Sequence, residues 1–95
     1  MEANTTTGIV MNKYTVKFFA NCPNNGVRVE YTLTITVRKT IQVETLIDAI
    51  SGYDNWYHED IADNLSNKFK GQQVLTAFHH GVFIETIRDY PNTQK

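Results

Sequence analysis

From Tyr14 to Ala20 apolar and polar residues alternate, with Tyr14, Val16, Phe18 and Ala20 on one side and Thr15, Lys17 and Phe19 on the other. A period of two is that of a strand, whose successive side chains point to opposite faces. The same alternation runs unbroken from Val27 to Arg38. It sets Val27, Val29, Tyr31, Leu33, Ile35 and Val37 against a polar face of Arg28, Glu30, Thr32, Thr34, Thr36 and Arg38. This predicts a long strand with one buried and one wet face. The segment between them, Cys22-Pro23-Asn24-Asn25-Gly26, is expected to form a hairpin whose Asn-Gly pair supplies the positive φ angles of a tight turn.

The period then lengthens to about 3.6. Val43, Leu46, Ile47 and Ile50 recur at helical spacing, with Gly52 as the expected stop. A second helix carries Ile61, Leu65 and Phe69 on one stripe and ends at Gly71. His58-Glu59-Asp60 fall in its first turn, where the helix dipole favours carboxylates. Gln73 to His79 and Val82 to Arg88 read as strands again, joined around His80-Gly81. The order is β-β-α-α-β-β, which predicts an α+β domain: a four-stranded antiparallel sheet with two helices on its apolar face. A single domain is expected over residues 13–90, with polar, flexible tails at 1–12 and 91–95 and Met11 as an alternative start. Such a sheet has two open edges, and a long strand near an edge invites unwanted pairing. Copies joined edge to edge would close a barrel with the threonine-rich face in a wet lumen, so a ring-shaped homo-oligomer is expected.

Composition narrows the setting. The chain has 95 residues, 41% apolar and 20% charged, with nine Lys and Arg against ten Asp and Glu. No apolar run approaches the roughly 18 to 20 residues that cross a bilayer. The Thr- and Asn-rich first residues lack the basic and apolar regions of a secretory signal, so no membrane association and a cytoplasmic home are expected. Cys22 is the lone cysteine, which leaves the domain to its core or to association for stability. The basic residues are scattered singly along the sequence, so tight unassisted binding to duplex DNA is not expected.

Three positions carry candidate chemistry. Cys22, in a loop beside Pro23, is a candidate nucleophile if its thiol can ionise, and otherwise a small half-buried hydrophobe. Glu59 opens a helix beside Trp56 and Tyr57. Its carboxylate can accept two parallel hydrogen bonds from the N–H edge of a guanine-like ring on which aromatic neighbours stack. The alternative is a solvated glutamate stabilising its own helix. His58 titrates near neutrality and can give or take a proton, or is an ordinary surface histidine. His79 and His80 point to opposite faces of a strand and carry no spaced ligand pair, so no metal is expected.

Together, Cys22-Pro23, the strand Val-Arg-Val-Glu-Tyr, a helix opened by Val43-Glu44, Tyr57-His58-Glu59-Asp60-Ile61 and a final Gly-Val-Phe-Ile hairpin resemble the QueF and QueF-like proteins of the tunnelling fold, over about residues 12 to 90. The resemblance implies 7-cyano-7-deazaguanine as substrate. Cys22 matches the nucleophile that attacks the nitrile to form a thioimide, and His58 and Glu59 match the pair in the nucleobase pocket, with Tyr57 alongside. It also implies pentameric rings, often stacked in pairs as decamers, with sites at subunit interfaces. QueF reductases carry a lysine-rich motif for NADPH. The corresponding stretch here, Glu44 to Ile50, contains no lysine, so the resemblance is nearer to the QueF-like amidinotransferases. These use ammonia as co-substrate to form an archaeosine-type amidine in tRNA, and a DNA substrate is the variant considered beside it. The family's catalytic aspartate, seven residues after the cysteine, is replaced by Val29. Glu30 faces the other way, which leaves His58 as the expected proton carrier. A nitrile reductase using NADPH and a non-catalytic purine- or pterin-binding module are the alternatives.

Overall fold

The computed structural model describes residues 11–90. Its elements are β1 (Asn12–Asn21), β2 (Arg28–Val37), α1 (Val43–Ile50), α2 (His58–Lys68), β3 (Gly71–His79) and β4 (Val82–Tyr90). The strands form one antiparallel sheet in the order β1-β2-β3-β4. Of the expected tails, 1–10 and 91–95 lie outside the described residues, and Asn12 already pairs with Val37.

The alternation read from the sequence sets the two faces. Phe18 and Ala20 of β1, Val29 to Val37 of β2 at every second position, and Leu75 and Ala77 of β3 are buried on the inner face. They join Leu46 and Ile50 of α1 and Ile61, Ala62 and Leu65 of α2 in one core cluster. The helices therefore do cover the apolar face. Phe69, expected on the α2 stripe, is instead the extended residue that ends the helix, and it packs at the core's margin. The outer face is less polar than its threonines suggest. Phe19, Phe78, Phe83 and Ile87 are exposed on the sheet, and the rings of Phe78 and Phe83 lie 5.1 Å apart across β3 and β4.

The turns depart from expectation in one respect. In the first hairpin only Gly26 takes a positive φ, +71°; Asn25 does not. The loop is wider than a two-residue turn and is closed by Cys22 N–H donating to the Val27 carbonyl and Gly26 N–H to that of Cys22, both at 2.8 Å. Asn25 contributes through its side chain, accepting from the Val27 N–H at 3.0 Å, the local bond that makes Asn a turn former. The tight turn is the second one. His79 pairs with Val82, and His80 and Gly81, with φ of 54° and 83°, supply the two left-handed residues. Gly71 is needed for a different reason. At φ +104°, any Cβ would strike the Val37 side chain and lie 2.6 Å from the Thr36 carbonyl, so β3 can begin against β2 only with glycine there.

Candidate functional site

The first hairpin and the segment leading into α2 are held together. The Asn21 N–H donates to the Asp54 carbonyl at 2.6 Å, Asn21 bridges Asn55, and the Tyr57 hydroxyl reaches Asn24 at 3.5 Å. The loop bearing Cys22 and the turn bearing Tyr57 and His58 are thus neighbours, although far apart in sequence. Their tips are also tied to the second hairpin through Asn25 and His80, 2.9 Å apart.

At the centre of this arrangement is Tyr31, a buried residue of β2. The His58 ring meets it edge-on with centroids 5.3 Å apart. Burial raises the Tyr31 pKa above its ordinary value, with a smaller contribution in the same direction from Cys22. Phe18 stacks on Tyr31 with ring centroids 5.3 Å apart. The His58 ring thus packs on Tyr31, a residue of the core cluster to which Cys22 also belongs. Cys22 is only 6% exposed, so the loop cysteine is a buried one.

His58 is half-buried, and its Nε2 has no hydrogen-bond partner. Burial pushes the imidazole pKa below its usual value, against the Leu75 backbone and Glu59, which favour the charged ring. Tyr57 is 47% exposed. Glu59, next to His58 in the chain, points outward. Its side chain is 79% exposed and faces Arg88 of β4 at 3.5 Å, while Arg88 also holds Asp63 at 2.9 Å. Within one chain, then, the Glu59 carboxylate turns to the β4 edge and Cys22 belongs to the β1–β2 hairpin. Adjacent strands are about 4.8 Å apart, which puts the two edges roughly 14 Å from each other. Val29, at the position of the family's acid, is buried, and Glu30 is on the exposed face, as the alternation requires.

Sequence reasoning missed a second feature. Arg38, Lys39, Lys68 and Lys70 line one open groove of about 1010 Å³ at the other end of the sheet, with Asp89 the one acidic residue in its walls among the described residues. Two short basic segments some thirty residues apart in sequence, Arg38-Lys39 and Lys68 to Lys70, are gathered by the fold, because the β2–α1 connection and the α2–β3 connection emerge at the same end. Lys68 also suits the carbonyl end of α2. Among the described residues, no three His, Cys, Asp or Glu side chains are grouped to hold a metal, and no helix is long and apolar enough to cross a membrane. No protein-family model, curated protein or solved structure matches the chain.

Proposed function

We propose that this chain is a QueF-like enzyme that acts on the nitrile of 7-cyano-7-deazaguanine. The supporting observation is that the Cys22 hairpin and the segment bearing Tyr57 and His58 are held side by side, by the Asn21 N–H on the Asp54 carbonyl at 2.6 Å and by the Tyr57 hydroxyl on Asn24 at 3.5 Å. The thiol sulfur adds to the nitrile carbon and its proton passes to the nitrile nitrogen, giving a thioimide. His58 carries that proton. Ammonia then attacks the thioimide carbon and the thiol leaves, so that the product is an amidine and the cysteine is restored. Glu59, freed from Arg88, binds the N–H edge of the base. Because Glu59 faces the β4 edge, the site is completed between neighbouring copies in a ring. The cationic groove supports a nucleic acid that carries the base as the substrate.

The test is intact-mass measurement after incubation with the nitrile base. The wild type is expected to gain the full mass of the base, and Cys22→Ala to gain none. Ammonium should release an amidine, and NADPH should yield no amine; an amine would restore the reductase. The burial of Cys22 favours a second reading, a non-catalytic tunnelling-fold module that binds a purine or pterin. Calorimetric binding of the nitrile base with no mass gain on the wild type would select it.

A further inference from the structure

At the hairpin end of the sheet, one row of the outer face is built from aromatic rings. Phe19 pairs with Glu30 across β1 and β2, and Phe78 with Phe83 across β3 and β4. Phe78 comes one residue beyond the Tyr31–Ala77 pair, so it stands level with Glu30. All three rings are exposed, Phe78 at 66%. The Arg28 guanidinium lies over the Phe19 ring, 4.4 Å from its centroid, which keeps a cation in the row. Toward the opposite end β1 adds Lys13 and Lys17, both exposed, beside threonines of β1, β2 and β3. The last row contains Thr36, Gln72 and Asp89, which also stand in the wall of the cationic groove. One surface therefore runs from the groove to the aromatic row, about 20 Å along β2 from Thr36 to Glu30.

We infer that this face binds single-stranded nucleic acid, with phosphates on the groove, Lys13 and Lys17 and with unpaired bases stacked on Phe19, Phe78 and Phe83. A phenylalanine ring on the open face of a sheet keeps apolar area in water until a flat partner covers it. Three such rings in one row, beside cations, match the chemistry that holds single strands. Base stacking on aromatic rings tolerates any sequence, and lysine and arginine neutralise the backbone. The charges also set the path. Lys13, Lys17 and Arg28 are on β1 and at the start of β2, whereas Glu85 and Asp89 are on β4. Phosphates therefore follow β1 and β2, and the bases point toward β3 and β4. There the carboxylates repel phosphate but accept hydrogen bonds from base amino groups, and Glu30 can accept in the same way between the rings.

A protein partner matches this face less well. The aromatic row is separated from Val74 and Ile87 by the row of Lys17, Thr32, Thr76 and Glu85. The apolar groups therefore do not join into the continuous centre that a protein interface buries. A duplex matches worse still, because its bases are stacked on one another and offer no free ring face. Lys13 and Lys17, about 14 Å apart along β1, are too far apart to share one phosphate and suit separate ones along a strand.

This inference deepens the nucleic-acid part of the proposed function and rests on it, but not on the nitrile chemistry, because the probes carry no nitrile. Fluorescence anisotropy at moderate salt compares labelled single-stranded oligothymidylate, an abasic strand with the same number of phosphates, and a duplex of the same length. The wild type is expected to bind oligothymidylate more tightly than the duplex and at least about tenfold more tightly than the abasic strand. Phe78→Leu with Phe83→Leu keeps an apolar surface and removes two rings. It should lower oligothymidylate affinity toward that of the abasic strand and leave its salt dependence as it was. Lys13→Gln with Lys17→Gln should do the converse, flattening the log–log salt slope by about 0.7 for each lysine while the preference for bases persists. Phe78→Trp keeps a stacking surface, and its emission should be quenched by oligothymidylate but not by the abasic strand. Circular dichroism reports the folding of each variant. Equal affinity of the wild type for oligothymidylate and the abasic strand, or full affinity in the leucine variant, would overturn the inference and leave the face to a protein. A wild-type assembly in sedimentation that the leucine variant loses while still binding oligothymidylate fully would assign the face to a second copy and overturn it equally. Mass gain on Cys22 from the free base in any of these cases would leave the proposed chemistry standing. Oligothymidylate binding without that gain would overturn the chemistry alone.

Discussion

His58 illustrates how one side chain can be named by sequence and still be misjudged in setting. The first turn of α2 exposes Glu59 and Asp60 but turns the imidazole inward onto Tyr31, and its buried Nε2 finds no partner. Protonation would place a charge where water is scarce, which is why the pKa is lowered. The unfolded chain binds a proton near the ordinary histidine value of about 6.5, while the folded chain resists it to lower pH. Stability is therefore full above that value and declines as pH falls from it toward the folded pKa. Urea unfolding at pH 7.5 and 5.5 should show the wild type losing stability across this interval and His58→Phe losing distinctly less. Equal losses would mean that the ring charges without cost. Nothing in the local sequence could have signalled this, because the partner, Tyr31, comes from a strand that tertiary packing alone brings near.

Among the elements, what was legible follows from periodicity. The alternation from Val27 to Arg38 matches β2 within a residue at either end, and the 3.6-residue spacing locates both helices. The turn chemistry was less legible, because Asn-Gly has the same composition whether the loop is two residues or wider. Backbone pairing chose the wider form, and His80-Gly81 took the tight one. Polar residues on an inner face were also missed. Gln73 is 2% exposed, and its side-chain amide donates to the carbonyls of Phe69 at 2.7 Å and Leu65 at 3.1 Å. The end of a helix leaves carbonyls without partners. Here a strand residue four positions beyond the C-cap serves one of them, while the Leu65 carbonyl also accepts from the Phe69 N–H. Gln73→Leu keeps the volume and removes the donor, so it should cost about 1 to 3 kcal/mol in chemical denaturation. Gln72→Leu, on the exposed face, should change stability by less than about 0.5 kcal/mol.

For the whole molecule, the candidate site was legible as residue types but not as a place. Cys22, Tyr57, His58 and Glu59 stand in the sequence. Their division between a hairpin tied to β1 and a carboxylate facing β4 follows only from the order of the strands. The same holds for the groove of Arg38, Lys39, Lys68 and Lys70, which lies roughly a ten-residue strand, or about 30 Å, from the Cys22 hairpin. A free base cannot reach both, whereas a polynucleotide can, and a ring would repeat the groove once per copy. Phosphate contacts release counterions, and each makes affinity steeper in salt by about 0.7 to 0.9 in log–log slope. Replacing all four cations with glutamine should therefore weaken oligonucleotide binding in fluorescence anisotropy at least about tenfold at moderate salt and flatten its salt dependence. Mass gain on Cys22 from the free base should be unchanged. Unaltered oligonucleotide affinity would limit the substrate to the free base, and loss of the free-base adduct would mean that the groove acts on the thiol through the fold instead of on a phosphate backbone.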